Sequence, residues 1–177
     1  MSKLDRLLKR YDATIRLPWK QNLAGAQKVW FVVYDPTEER RLRATLDEFK
    51  LATQRAGHAW VVCDLTDSFP HWMAEQEYRT SYFEDPEAAS VLPPVYREEV
   101  VNQVRSMLLQ ADARTVVAVL GVGTLFGFIR FSDVLERVHD DIRGRMAVFF
   151  PGTNHKHTYR LLDAREGWNY LAVPITA

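Results

Sequence analysis

The chain is expected to fold as an α/β three-layer sandwich, with a mainly parallel sheet of about five strands and helices on both faces. The class is P-loop- or Rossmann-like, but without a Walker A motif. Three observations carry this expectation. Val29 to Tyr34, Ala59 to Cys63, Thr115 to Leu120 and Met146 to Phe150 are short, continuous apolar runs. Such runs fit strands covered on both faces rather than on one. Stretches with helical apolar spacing separate them, so strand and helix alternate as in βαβ units.

The elements follow in order. Ser2-x-x-Asp5 has the form of a capping box, and Leu4, Leu7, Leu8, Tyr11 and Ile15 then share one helical face. Pro18 stops this helix. After the first strand, Asp35-Pro36-Thr37-Glu38 reads as a helix start, with Asp at the N-cap and Pro at the first helical position. Leu42, Leu46, Phe49 and Ala56 form its apolar stripe, and Gly57 is its stop. Asp64 to Asp67 leads into a helix bearing Phe69, Trp72, Met73 and Gln76. Asp85-Pro86 to Pro93-Pro94 reads as the one long loop. A helix with Val100, Val101, Val104, Met107 and Leu108 inward comes next. Gly121 to Gly127 is a turn after the third strand, followed by a helix holding Val134, Leu135 and Val138. Pro151-Gly152 ends the fourth strand, Thr153 to Tyr159 is a polar loop, and Asn169 to Pro174 is a fifth strand.

The length of 177 residues fits one domain over residues 1–177. Lys+Arg and Asp+Glu both total 23, so the formal net charge is zero and the usual electrostatic argument for nucleic-acid binding is missing. The single cysteine, Cys63, excludes an intrachain disulfide and sits in an apolar run, as a buried small hydrophobe does. The first ten residues contain acid and no apolar h-region, and no run reaches the ~18 residues of a membrane span. A cytoplasmic protein that binds no membrane is expected.

Ligands of open parallel sheets sit beyond the carboxyl ends of the strands. Here those ends present Asp35 and Thr37, Asp64, and Gly121, Gly123 and Thr124. Gly121-x-Gly123-Thr124-x-x-Gly127 is the best ligand candidate, because glycines let a backbone approach a phosphate. It fits no nucleotide fingerprint: the third glycine is displaced by one residue, and the P-loop Lys and Ser/Thr are missing. Asp35 would repel phosphate where such folds place their phosphate loop, and helix capping accounts for it. His155-Lys156-His157, with Asp163, has metal-binding residue types, but a solvated loop is the better reading, since a metal site needs further ligands held in geometry. Asp163, Arg165 and Glu166 could form a polar cluster. Arg40, Arg41 and Arg43 read as the solvated face of a helix, paired with Glu38, Glu39 and Asp47. No nucleophile motif is present; no catalytic residue, metal or cofactor is expected. Leu4 and Leu7 on the first helix, with Trp19, Trp72 and Tyr82 outside the strands, are the candidate protein-binding residues.

Several segments together resemble the BrxB family of bacterial phage-exclusion (BREX) systems. They are Leu17-Pro-Trp19, Asn22 to Gln27, Val29 to Asp35, Glu39 to Arg43, Asp64 to Asp67, Gln76 to Tyr78, Val117 to Phe128, Ile142 to Arg145, Phe149 to Gly152, Tyr159 to Arg165 and Trp168 to Pro174. The likeness is weakest over 85–113. The resemblance implies a context: systems that methylate host DNA and block phage replication. Within them it implies a non-enzymatic accessory subunit beside the BrxC ATPase, a PglZ-like phosphatase-family protein and the PglX methyltransferase, most simply an adaptor between PglZ and the ATPase. A degenerate nucleotide-binding regulator and a DNA-contacting subunit are the alternatives.

Overall fold

The computed structural model describes residues 1–164 and 167–177. Its elements are α1 (Lys3–Ile15), β1 (Val29–Tyr34), α2 (Glu39–Arg55), β2 (Ala59–Asp64), α3 (Ser68–Ala74), α4 (Arg79–Glu84), α5 (Leu92–Gln110), β3 (Thr115–Leu120), α6 (Phe131–Val138), β4 (Arg145–His155), β5 (Thr158–Leu161), β6 (Trp168–Asn169) and β7 (Val173–Ile175). The strands β2, β3, β4, β1 and β7 lie side by side in that order, all parallel. β5 pairs antiparallel with the far end of β4, and β6 with β5. The sheet is open, as the alternation of strand and helix predicts.

Alternation along the central strands divides the core in two. Trp30, Val32 and Tyr34 of β1 face α1 and α2, in a cluster with Leu4, Leu7, Tyr11, Leu42 and Phe49. Val29, Phe31 and Val33 face the opposite way, in a cluster with Trp72, Tyr96, Val100, Val104, Val134 and Leu135 from α3, α5 and α6. Helices therefore cover both faces.

The first helix is stapled at both ends of its apolar face. Ser2 and Asp5 form the capping box, with Asp5 N–H donating to Ser2 Oγ at 3.1 Å. At the other end Tyr11 donates to Thr53 Oγ1 of α2 at 2.6 Å, and Thr53 in turn donates to the Phe49 carbonyl at 2.9 Å. Burial pushes the Tyr11 hydroxyl well above its ordinary pKa, with the Thr53 bond acting against it, so it stays a neutral donor. The Tyr11 ring meets Phe49 edge-on at 5.2 Å. Leu4 and Leu7 are buried in this interface: α1 docks on its own chain.

Three segments depart from expectation. The fourth strand does not stop at Pro151-Gly152 but runs on to His155 and returns as β5, so 153–159 is a hairpin. A proline can sit here because β1 pairing ends at Pro151, where a ladder N–H is no longer needed. Gly152 then pairs with Leu161, and a Cβ on it would lie 2.0 Å from the Arg160 carbonyl oxygen. Only glycine allows that approach. The supposed loop from Asp85 to Pro94 contains a 3-10 turn at Ala88–Val91, and Pro93-Pro94 fall in the first turn of α5, a position that does not need their missing N–H. The fifth strand is split into β6 and β7, and Leu171 between them is exposed.

Leu7, 1% exposed, tests how much the α1 contact stabilises. Leu7→Ala should lower unfolding stability by about 2–5 kcal/mol, read as a reduced urea midpoint with unchanged slope.

Candidate functional site

The chain leaves β1 toward one face of the sheet, where α2 packs, and leaves β2 and β3 toward the other, where α3, α5 and α6 pack. That reversal creates a crevice beyond the strand ends, where open α/β sheets take ligands. It is a cleft of about 330 Å³ lined by Pro36, Glu39, Arg43, Thr66, Gly121, Gly123, Thr124, Pro151 and Leu162. The structure thus brings the sequence candidates Gly121, Gly123 and Thr124 together with residues of α2 and the β2–α3 loop.

Arg43 is the main surprise. Helical position alone puts it on the solvated face with Arg40 and Arg41, but its side chain crosses the strand ends. Its Nε donates to Glu39 Oε1 at 2.7 Å, Nη1 to Asp64 Oδ2 at 3.0 Å and Nη2 to Thr66 Oγ1 at 2.6 Å. Tyr34 donates to the second oxygen of Glu39 in a short hydrogen bond. Burial and the Glu39 carboxylate together raise the Tyr34 pKa far above normal. Burial works to raise the Asp64 carboxyl, but bonds from Thr66 and Arg43 outweigh it and hold it below the ordinary carboxylate range. The guanidinium is therefore spent on protein acceptors, and two carboxylates surround it.

The glycine turn serves the fold. Gly121 has φ +76°, and a Cβ on it would lie 2.5 Å from the Thr66 amide nitrogen. Glycine is required because the β2–α3 loop passes directly against the turn. Thr124 Oγ1 donates back to the Gly121 carbonyl at 2.7 Å, closing a single 3-10 turn, Val122–Leu125.

The other candidates scatter. Asp35 caps the turn after β1: its carboxylate accepts from the Thr37 amide at 3.0 Å and the Thr37 hydroxyl at 2.7 Å. Those bonds hold its pKa below the normal range. Asp35 lines a second cleft with Lys3, Leu4 and Leu7 rather than the first. His155, Lys156 and His157 sit exposed at the tip of the β4–β5 hairpin. Asp163 is exposed too, while Arg165 and Glu166 lie outside the described residues. Among the described residues no group of three or more His, Cys, Asp or Glu is placed to hold a metal, and no helix is long and apolar enough to cross a membrane.

Of the candidate interface residues, Leu4, Leu7 and Trp72 are buried; their apolar faces are already covered by the chain itself. Trp19 and Tyr82 are half-buried. Trp19 stacks on His58 with centroids 3.7 Å apart and lies under the Arg145 guanidinium at 4.8 Å. Arg145 is only 5% exposed, and burial pulls its pKa down. It donates to the Lys20 and Gly144 carbonyls.

Sequence reasoning missed an apolar groove of about 440 Å³ between the start of α5 and the loop before α6. Pro93, Pro94, Phe126, Phe128 and Ile129 form its apolar wall, with Arg97, Arg130 and Asp133 at the rim. Phe126 and Phe128 are 44% and 41% exposed. Two aromatics flanking Gly127 are the signal in the sequence, masked because the glycines of the same stretch read as a turn or a phosphate loop.

A model of the family described as BREX protein BrxB matches residues 69–175. This chain belongs to the BrxB family. The match includes 85–113, where the resemblance is weakest to the eye, and contains the whole groove. Membership gives the chain a role in BREX defence, in an accessory family rather than a known enzyme family. No curated protein and no solved structure matches it.

Two outcomes test the site. Asp64, held low, stabilises the fold above the unfolded carboxylate pKa of ~3.9 and stops doing so as pH falls through its lowered folded value. Arg43→Met should therefore lower the melting temperature by about 2–4 °C at pH 7, with a smaller difference from the parent at pH 2. Cys63, whose thiol burial pushes up to about 11, should resist iodoacetamide at pH 8 in the native protein and react fully in denaturant.

Proposed function

We propose that this BrxB-family chain is a non-enzymatic adaptor of a BREX complex, joining a PglZ-like phosphatase-family protein to the BrxC ATPase. The observation that carries this reading is the groove of Phe126 and Phe128 within the matched span. Exposed aromatics beside arginine are the residue types that anchor protein interfaces. Phe83, Val91 and Val95, all more than half exposed, and half-buried Tyr82 add apolar surface from α4 and the start of α5. Family membership supplies the company in which such a surface works.

The engaged arginine of the cleft at the strand ends supports the same reading. A phosphate-binding loop needs a free cation and open backbone amides, whereas Arg43 already answers Glu39, Asp64 and Thr66. In this reading the α/β frame carries surfaces rather than chemistry.

The purified chain, mixed with the neighbouring PglZ-like protein and BrxC, should co-elute with at least one of them in size-exclusion chromatography. The double substitution Phe126→Asp and Phe128→Asp should weaken that complex tenfold or more while leaving the melting temperature within a few degrees. Failure to bind any BREX partner at micromolar concentration would sink the adaptor reading. A thermal shift with ATP, GTP or NAD would favour a nucleotide-binding regulator instead, since saturation at 100 times Kd stabilises by about 2.7 kcal/mol.

A further inference from the structure

The two edges of the parallel sheet are built differently. The β7 edge is three residues long and carries Pro174, which has no N–H to offer a neighbouring strand. The β2 edge, at the other end of the strand order, is Ala-Trp-Val-Val-Cys-Asp, six residues without proline, glycine or lysine. Val62 at its middle is 38% exposed. Natural sheets usually blunt such an edge with charge, proline or a bulge. Here the only charged residue of the strand is Asp64, at its end.

The backbone fixes how this edge could be used. Ala59 N–H donates to the Arg114 carbonyl at 3.1 Å and Leu65 N–H to the Leu120 carbonyl at 2.9 Å. Odd-numbered residues therefore bond to β3, and alternation turns the N–H and C=O of Trp60, Val62 and Asp64 outward. An antiparallel partner must present outward residues opposite outward residues. A second copy does so in one centred register: Val62 opposite Val62, and Trp60 opposite Asp64.

Charge agrees with that register. Arg55 and Arg114 flank the start of β2, with Arg114 Nη2 on the Gly57 carbonyl at 3.1 Å. Asp112 is also there, with its carboxylate bound to the Arg114 amide and the Thr115 hydroxyl. Asp64 and Asp67 flank the end of β2, and both are exposed; Arg43 answers Asp64 there, which leaves Asp67 as the carboxylate in excess. Antiparallel pairing lays the acidic end of one copy against the basic end of the other. A net charge of zero removes the long-range repulsion that would oppose self-association.

We propose that the open β2 edge binds a second copy of this chain, in two-fold antiparallel pairing centred on Val62, so that the sheet runs continuously through a dimer. An isologous contact of this kind closes on itself and leaves outward only the short, proline-bearing β7 edges.

Light scattering at micromolar concentration should give twice the 20.5 kDa of the chain. Val62→Pro should restore the single-chain mass; the Val62 N–H points away from β3, so the substitution spares the β2–β3 ladder. Val62→Lys should do the same, which guards against misfolding of one variant. Independently, Val62→Cys in a Cys63→Ala background should oxidise to a covalent dimer, since opposed residues in a hydrogen-bonded pair have Cα atoms about 5.5 Å apart, within disulfide reach. A single-chain mass for the parent protein would overturn the proposal. So would a dimer that survives both Val62 variants and yields no cross-link. If the parent is a single chain and Val62→Pro instead abolishes binding to a BREX protein, self-pairing is wrong and the edge belongs to that partner. The Phe126 and Phe128 variants leave this edge intact, so the two surfaces fail or succeed separately.

Discussion

Pairing of β1 with β4 is the constraint on which the rest of the molecule depends. Six residue pairs, from Val29–Met146 to Tyr34–Pro151, align in parallel, and the β1 and β4 side chains are buried throughout this stretch. A parallel pair needs a covered crossover, and burial of both its faces demands helices on both sides. Each residue along β1 therefore commits to one of two cores. Trp30 meets Tyr11 and Trp19 edge-on on one side; Phe31 stacks on Phe150 and meets Tyr159 edge-on on the other. Strands of this kind have no room for polar groups along their length, so the chemistry of the sheet is pushed to its ends.

At the carboxyl ends that polarity is consumed by local closure. Asp35 and Asp64 each fold back on a threonine two residues later, and Arg43 ties α2 to the ends of β2 and its following loop. Gly121 lets the β2–α3 loop press against the β3 turn. The crevice that a nucleotide-binding relative of this architecture would keep open is instead braced by an ion-paired network. An arginine with three protein acceptors would have to break two ion pairs to reach an incoming phosphate, and the two carboxylates left behind would repel it.

Legibility in the sequence followed the physics of each signal. Continuous apolar runs identified β1 to β3 with their bounds nearly intact: β1 and β3 are buried on both faces, and β2 carries the same β-branched composition although it is the exposed edge. The capping box at Ser2 and the Asp35-Pro36 start are local hydrogen-bond devices and were equally readable. The hairpin from Thr153 to Leu161 was not. Its strands are exposed on one face, with Tyr159 and Leu161 the inward residues, and its close crossing depends on Gly152, whose need is set by Arg160. Arg43 was misplaced for a related reason: helical periodicity ranks faces by average polarity, and cannot register that a long side chain spans to Asp64, 21 residues further on. Leu4 and Leu7 read correctly as an apolar stripe, but a stripe alone does not say which surface covers it. The Phe126–Phe128 groove is assembled from α5, the loop before α6 and the end of β5, elements that only the fold makes neighbours.

The groove and the β2 edge share no residue. β2 precedes the span that matches the BrxB family, while the groove lies wholly within it. Their separation has a mechanical consequence for an adaptor. In the proposed pairing through β2, two grooves that share no residue with that edge would be carried on one continuous sheet, related by a two-fold axis. A partner that is itself multimeric would then meet two sites at once, and the second contact would form at the effective concentration set by the frame rather than by bulk protein. On the adaptor reading, each groove could then be modest in area and affinity and still hold a larger assembly together, because the two would act as one bivalent surface.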